Sequence, residues 1–166
     1  LVALDMNGVP LWKRHLGQDY APFEILWGHG SSPVLHGDAL YLLCDHAPRG
    51  YLLALDKRTG KEIWRADRGE GLRSYSTPVI VHTAERDELI VNSSRSIDAY
   101  DPRTGRLLWF VDDPVELSIP MPSHQDGVIY TSRGYASSPY LVITAGGSGN
   151  VTATNVRWRI STSAPY

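Results

Sequence analysis

The chain has 166 residues, enough for one domain with a buried core, and its 42% hydrophobic content is typical of a globular protein. Lysine and arginine total 16 against 18 aspartate and glutamate, and this formal net charge of −2 argues against nucleic acid or an anionic membrane as a partner. A single cysteine, Cys44, excludes an internal disulfide and cysteine-rich zinc sites, and no apolar run reaches the roughly 18 residues of a transmembrane helix.

In chain order, the first feature is a segment that recurs at residues 1–12, 52–64 and 97–109. Each copy has an aspartate after a short apolar run, then a glycine-containing turn, then a tryptophan. A degraded fourth copy ends at Trp158. The repeat positions are Asp5, Trp12, Asp56, Gly60, Trp64, Asp101, Gly105, Trp109 and Trp158. Trp27 is therefore the only tryptophan outside the repeat.

A second feature recurs between these copies, where an X-Pro pair begins a strand-like run at Pro33, Pro78 and Pro122. A turn and another apolar run follow each of them. Every period of about 45 to 50 residues therefore predicts four short strands, which we name A to D, and no stretch of ten residues has helical periodicity.

Four strands in such a period are typical of a β-propeller blade, a small sheet whose two faces are covered by neighbouring blades. A repeated tryptophan suits that contact because it has a large apolar face and one N–H that needs an acceptor. The repeated aspartates are expected to cap the C–D turns by accepting backbone N–H bonds. We therefore interpret them as structural residues rather than as metal ligands.

The segments from Ala54 to Trp64 and from Ala99 to Trp109 resemble the repeat of the pyrroloquinoline-quinone (PQQ) type β-propellers, with its tryptophan-docking motif. The resemblance covers nearly the whole chain and is closest to the bacterial group of the outer-membrane-protein assembly factor. It implies an all-β fold of four-stranded antiparallel blades and a non-catalytic scaffold or protein-interaction module. It also suggests a periplasmic or secreted address, although no targeting segment identifies the compartment.

The predicted organisation is a single propeller segment over 1–166. It comprises a half blade at 1–14, blades at about 31–65, 76–110 and 121–159, and the start of another at 163–166. The resemblance implies a ring of seven or eight blades. We therefore expect a fragment of a larger ring, or a half ring completed by a protein partner, with a homodimer as one arrangement.

The alternative function is part of a quinoprotein-type oxidoreductase whose cofactor pocket is completed elsewhere. The resemblance implies that such a pocket uses calcium, an aspartate base and a disulfide between adjacent cysteines, whereas Cys44 is alone here. No cofactor is therefore expected, PQQ and calcium belong to the alternative, and no catalytic or metal-binding residue is predicted. A sugar or small-ligand propeller is a third and weaker hypothesis.

The topology places the D–A and B–C loops on one face, where variable loops on a rigid scaffold commonly carry function. The candidate binding residues on that face are Trp27, His29, Arg73, Tyr75 and Arg95. The competing interpretation is that these are separate solvated loop residues.

Overall fold

The structure is a computed structural model that describes residues 1–24, 27–46, 48–135 and 139–161. The regular structure in these ranges is almost entirely β-strand, which confirms the all-β prediction. The two helices, α1 (Leu16–Asp19) and α2 (Thr152–Asn155), have four residues each. Neither is long or apolar enough to cross a membrane.

The strands form four sheets in chain order. The half blade contains β1 (Val2–Leu4) and β2 (Pro10–Lys13). Blade 1 contains β3 (Val34–His36), β4 (Ala39–Cys44), β5 (Arg49–Asp56) and β6 (Glu62–Glu70). Blade 2 contains β7 (Val79–His82), β8 (Asp87–Asn92), β9 (Ser96–Tyr100) and β10 (Leu107–Asp112). Blade 3 contains β11 (Ser123–Gln125), β12 (Val128–Ser132), β13 (Tyr140–Thr144) and, after β14 (Gly149–Asn150), β15 (Val156–Ile160).

Within each blade the four strands lie side by side in sequence order and pair antiparallel. The exception is β14, which adds to the outer edge of blade 2 as a short parallel strand although the chain reaches it from blade 3. Residues 163–166, where another blade is predicted to begin, lie outside the described residues.

Both faces of the central strands are buried, as the alternation of side chains in blade 1 shows. Tyr41 and Leu43 pack in a cluster with Leu89 and Val91 of blade 2. The alternating residues Leu42, Cys44, Leu53 and Leu55 form a second cluster that faces the half blade and contacts Trp12. Strands buried on both faces have nearly continuous apolar sequences, which explains the run from Ala39 to Cys44.

Neighbouring blades are joined by a repeated tryptophan contact. The ring of Trp12 lies against Gly60, and its Nε1 donates to the carbonyl of Lys57 at 3.0 Å. Trp64 repeats this one blade later, with its ring against Gly105 and its Nε1 donating to the carbonyl of Pro102 at 2.9 Å. Each tryptophan therefore docks on the C–D turn of the next blade.

The C–D turns are held by the repeated aspartates. The Oδ1 of Asp56 accepts from the backbone N–H groups of Arg58 at 3.0 Å and Thr59 at 2.8 Å. These bonds lower the pKa of Asp56, with the hydroxyl of Thr59 as the largest contributor. Gly60 follows with φ 68°, a conformation that favours glycine and leaves room for the Trp12 ring.

The last two tryptophans of the repeat differ from the first two. Trp109 is fully buried, but its Nε1 donates to the Glu88 carboxylate of its own blade at 2.8 Å. The same carboxylate accepts from the backbone of Gly146, where blade 3 has β14 and α2 in place of a tight turn. Trp158 is 47% exposed.

Candidate functional site

The D–A and B–C loops lie together at one end of the blades because successive strands alternate in direction. We call this end the loop face. It contains the described parts of residues 14–33, 45–48, 71–78, 93–95, 113–122 and 133–139. The tight A–B turns and the C–D connections occupy the opposite face.

Backbone hydrogen bonds connect the loops of neighbouring blades on this face. Tyr75 donates its N–H to Ser118 at 2.8 Å, and Ser118 donates to Arg73 at 3.4 Å, so two D–A loops meet in a short parallel bridge. Val115 also donates to the carbonyl of Ser94, at 2.7 Å. The loops that carry Arg73, Tyr75 and Arg95 are therefore held against the loop of residues 113–122.

Trp27 and Tyr75 form an aromatic pair on the loop face. Their ring centroids are 6.1 Å apart, and the backbone N–H of Trp27 donates to the Tyr75 hydroxyl at 3.4 Å. Trp27 is 70% exposed. The backbone of Gly30 packs closely against Tyr75, since a Cβ at that glycine would lie 2.9 Å from the tyrosine ring.

His29 lies beside this pair in a second aromatic group. Phe23 makes an edge contact with His29 at 5.2 Å between centroids and stacks on His46 at 4.5 Å. His46 is 1% exposed, and neither of its ring nitrogens has a hydrogen-bond partner among the described residues. Burial lowers the pKa of both histidines, and the charge of His29 lowers that of His46 further.

The two candidate arginines lie on the blade 2 side of the loop face. The backbone N–H of Arg73 donates to the hydroxyl of Ser94 at 3.0 Å, which places it next to the loop that carries Arg95. A guanidinium nitrogen of Arg95 lies 3.5 Å from the carbonyl of Glu70. Within the described residues no hydrogen bond or ring contact links either arginine to Trp27. The five candidates thus form an aromatic group and a neighbouring arginine group.

A buried ion-pair network supports the loop face between blades 1 and 2, and the sequence did not predict it. The guanidinium of Arg68 pairs with Asp45 at 2.7 Å and with Asp98 at 2.9 Å, and all three side chains are at most 9% exposed. Burial of the guanidinium lowers the pKa of Arg68, but the attraction of the two carboxylates is stronger than this effect. The pKa of Arg68 is therefore raised. Tyr100 also accepts from Arg68, and burial raises the pKa of this tyrosine to about 12.

A second buried arginine, Arg133, joins blade 3 to blade 2. It donates to Asp113 at 3.1 Å and to the carbonyl of Ser93 at 2.7 Å, and it also bonds the side chain of Asn92. Burial lowers the pKa of Arg133 to about 10 despite the nearby aspartate. Ser93 also donates to Asp45, so the two networks meet at one loop.

A cleft of about 640 Å³ lies on the opposite face, between blades 1 and 2. At its rim His36 of blade 1 bonds Asp87 of blade 2 at 2.8 Å, and His82 bonds the same carboxylate at 2.6 Å. The bond with His82 is the largest cause of the lowered pKa of Asp87. The sequence signal for this cluster is a histidine at the end of two successive A strands, His36 and His82.

Metal and cofactor chemistry can be tested against the same geometry. Within the described ranges, no three His, Cys, Asp or Glu side chains are grouped so that they could hold a metal ion. The Cys44 side chain is fully buried in the apolar cluster beside Tyr51, and burial raises its pKa to about 12.

Comparisons with known proteins agree with this architecture. A family profile described as outer membrane protein assembly factor BamB matches residues 1–165. The chain belongs to this PQQ-type β-propeller family. The family prediction from the sequence repeat is therefore confirmed.

The solved structures that resemble the chain include BamB and alcohol dehydrogenases. BamB from Moraxella catarrhalis superposes with a TM-score of 0.58 at 15% identity, over 96% of this chain and 42% of that one. A quinohemoprotein alcohol dehydrogenase from Comamonas testosteroni superposes with a TM-score of 0.59 at 16% identity, over 80% and 21%. At these identities the likeness shows the shared fold.

A relative by sequence is the serine/threonine-protein kinase AfsK from Streptomyces griseus, which is 29% identical over 159 residues. The match covers 95% of this chain but only 18% of the kinase. The chain thus spans less than half of the BamB structure and under a fifth of the kinase.

Proposed function

We propose that the chain is a non-catalytic propeller module that binds a protein partner through its loop face. The observation that carries the proposal is the Trp27–Tyr75 pair, in which a 70% exposed tryptophan contacts a tyrosine whose own loop is held by backbone bonds. Tryptophan, tyrosine and arginine dominate the binding energy of protein interfaces. The arginine group of Arg73 and Arg95 borders this pair.

The rigidity of the loop face supports a binding role because a prearranged surface loses little entropy when a partner docks. The buried networks of Arg68 and Arg133 lie beneath the loops, and each joins residues of two neighbouring blades. We further propose that this module is part of a larger ring, completed by additional blades, and that it works without PQQ or calcium.

A peptide-selection experiment tests the loop face directly. A random peptide library is panned against the chain, and the selected peptides are measured on Trp27→Ala and on Leu35→Ala. Leu35 is 65% exposed on the A strand of blade 1 and is the matched control. We expect Trp27→Ala to weaken binding at least about tenfold and Leu35→Ala to leave it unchanged. Failure to select any peptide, or equal affinity for the two variants, refutes the proposal.

The oxidoreductase alternative has a separate test. Its supporting observation is the structural likeness to quinohemoprotein alcohol dehydrogenases. A ligand that binds only the native state stabilises it by RT ln(1 + [L]/Kd), so the melting temperature rises with ligand concentration. Thermal unfolding is therefore measured with PQQ, with calcium and with both. Our proposal predicts no shift, and a concentration-dependent increase favours the oxidoreductase.

A further inference from the structure

Arg73 and Tyr75 lie on the same side of one extended segment of the loop face. Ser74 stands between them in the parallel bridge of the two D–A loops. Ser74 is 5% exposed and Ser76 is 0% exposed, and their hydroxyls donate to backbone carbonyls at 2.7 and 2.8 Å. Because side chains alternate along an extended chain, Arg73 and Tyr75 occupy the outward positions, about 7 Å apart.

The row continues at both of its ends. Ser94 accepts the backbone N–H of Arg73 at 3.0 Å, which places Arg95, the next residue of that B–C turn, beside Arg73. At the other end, the ring of Trp27 lies 6.1 Å from that of Tyr75, measured between centroids. We call this row of four side chains the recognition strip: Arg95, Arg73, Tyr75 and Trp27.

The arginine end of the recognition strip has an excess of positive charge. Residues 71–78 and 93–95 include both of its arginines and no aspartate or glutamate. In the loop across the bridge, Asp113 is already paired with Arg133 and Arg159. Neither Arg73 nor Arg95 is ion-paired with a carboxylate in the described part of the chain. Neighbouring guanidinium groups bind carboxylates through charge-assisted hydrogen bonds, and such arginine clusters recognise acidic motifs.

We propose that the recognition strip binds an extended segment of the partner that has an aromatic residue and, two positions away, an aspartate or glutamate. The aromatic ring packs on Trp27 and Tyr75, and the carboxylate accepts from Arg73 and Arg95. The spacing follows from the strip, since two residues of extended peptide span the about 7 Å between Tyr75 and Arg73. This inference rests on the proposed function and gives the chemistry of its partner.

The arginine side chains can be removed without removing the backbone bonds that hold their loops. Arg73 is placed by its own N–H and carbonyl, which bond Ser94 and Ser118. The turn of Arg95 is held through the carbonyl of Ser94, which accepts from Val115 at 2.7 Å. Alanine at either arginine therefore deletes the guanidinium and keeps the loop backbone.

The test uses seven-residue peptides with a central phenylalanine and one glutamate placed one, two or three positions from it, each with a matched glutamine peptide. Fluorescence anisotropy gives their affinities for the native chain, for Arg73→Ala and Arg95→Ala, and for the control Arg103→Ala. The Arg103 side chain is 86% exposed on the C–D turn of blade 2, at the opposite face, and its loss removes the same charge.

Glutamate two positions from the phenylalanine should bind the native chain and the control at least about fivefold more tightly than glutamine does. Arg73→Ala should abolish this preference and Arg95→Ala should reduce it. The preference should also disappear at about 0.5 M salt, because solvent screens an exposed ion pair.

Equal affinities for the glutamate and glutamine peptides overturn the inference. A preference that survives in Arg73→Ala, that is lost equally in Arg103→Ala or that ignores the spacing overturns it as well. Trp27→Ala tests the proposed function separately, since it should weaken the glutamine peptides too. If Trp27→Ala weakens binding but glutamate has no advantage, the loop-face function stands and this inference fails; if no peptide binds, both fail.

Discussion

The contact between Trp64 of blade 1 and the C–D turn of blade 2 predicts that Gly105 in this turn is unusually sensitive to substitution. A Cβ added at Gly105 would lie 2.5 Å from Cε3 of Trp64, closer than real Cβ contacts occur. Gly105 also has φ 72°, where a residue with a Cβ is strained. Gly105→Ala therefore combines a backbone cost with a steric clash against a ring held by its own hydrogen bond to Pro102.

The two contributions can be separated with Gly127, which has the same φ of 72° in the A–B turn of blade 3 and no atom within 4 Å of the added Cβ. The backbone cost of a left-handed conformation is about 1–2 kcal/mol and applies to both glycines. Overpacking adds about 1–3 kcal/mol at Gly105 only. We expect Gly127→Ala to lower the free energy of unfolding by about 1–2 kcal/mol and Gly105→Ala by about 2–5 kcal/mol.

The assay is urea unfolding followed by tryptophan fluorescence and circular dichroism, with equal m-values required before the free energies are compared. Equal losses of unfolding free energy for the two substitutions would contradict this prediction, because they would show that the indole of Trp64 does not pack on the turn. A second position gives an independent check, since Gly60 has φ 68° and a Cβ there would lie 2.6 Å from the Trp12 ring.

Three further predictions follow from buried groups. Arg68→Met leaves the buried carboxylates of Asp45 and Asp98 without their ion-pair partner and should lower the free energy of unfolding in urea by about 3–5 kcal/mol. Arg49→Met, which removes the exposed pair with Asp67, should change this free energy little. Equally small effects of the two substitutions would refute the buried network. Burial lowers the pKa of His46 in the folded chain, so the unfolded chain binds a proton at this histidine more readily. The stability that neutral His46 contributes is present above about pH 6.5 and is lost as the pH falls below that value. His46→Phe should make unfolding less dependent on pH between about 6.5 and 5, and an unchanged slope would contradict this. Cys44, with its pKa raised to about 12, should react with iodoacetamide only after denaturation, and rapid labelling of the native chain would contradict its burial.

The sequence predicted the features that depend on local spacing. Asp56 and Gly60 specify a turn within five residues, and the register of the flanking strands follows from the turn. A repeat of this period then predicts the blade, because a sheet of four short strands needs a neighbour on each face. The tryptophan contacts of Trp12 and Trp64 follow from the same spacing.

The features that the sequence did not predict depend on contacts between blades. Arg68 stands in a strand that alternates with exposed charged residues, and only the three-dimensional register shows that it is turned between Asp45 and Asp98. The same holds for the bond between His36 and Asp87, residues 51 positions apart. The Glu88 carboxylate accepts the Nε1–H of Trp109, since the irregular C–D connection of blade 3 offers no carbonyl of a tight turn. No local motif indicated this bond.

The role of each repeated tryptophan is therefore decided by what stands beside its blade and not by its own motif. Trp64 is held by a glycine and a carbonyl of the next blade, and Trp109 is fully buried with an acceptor from its own blade. Trp158 is 47% exposed, although its strand register matches that of Trp64. The same apolar ring and N–H therefore make different contacts at Trp64 and Trp109, because blade 3 has β14 and α2 where blade 2 has a tight turn.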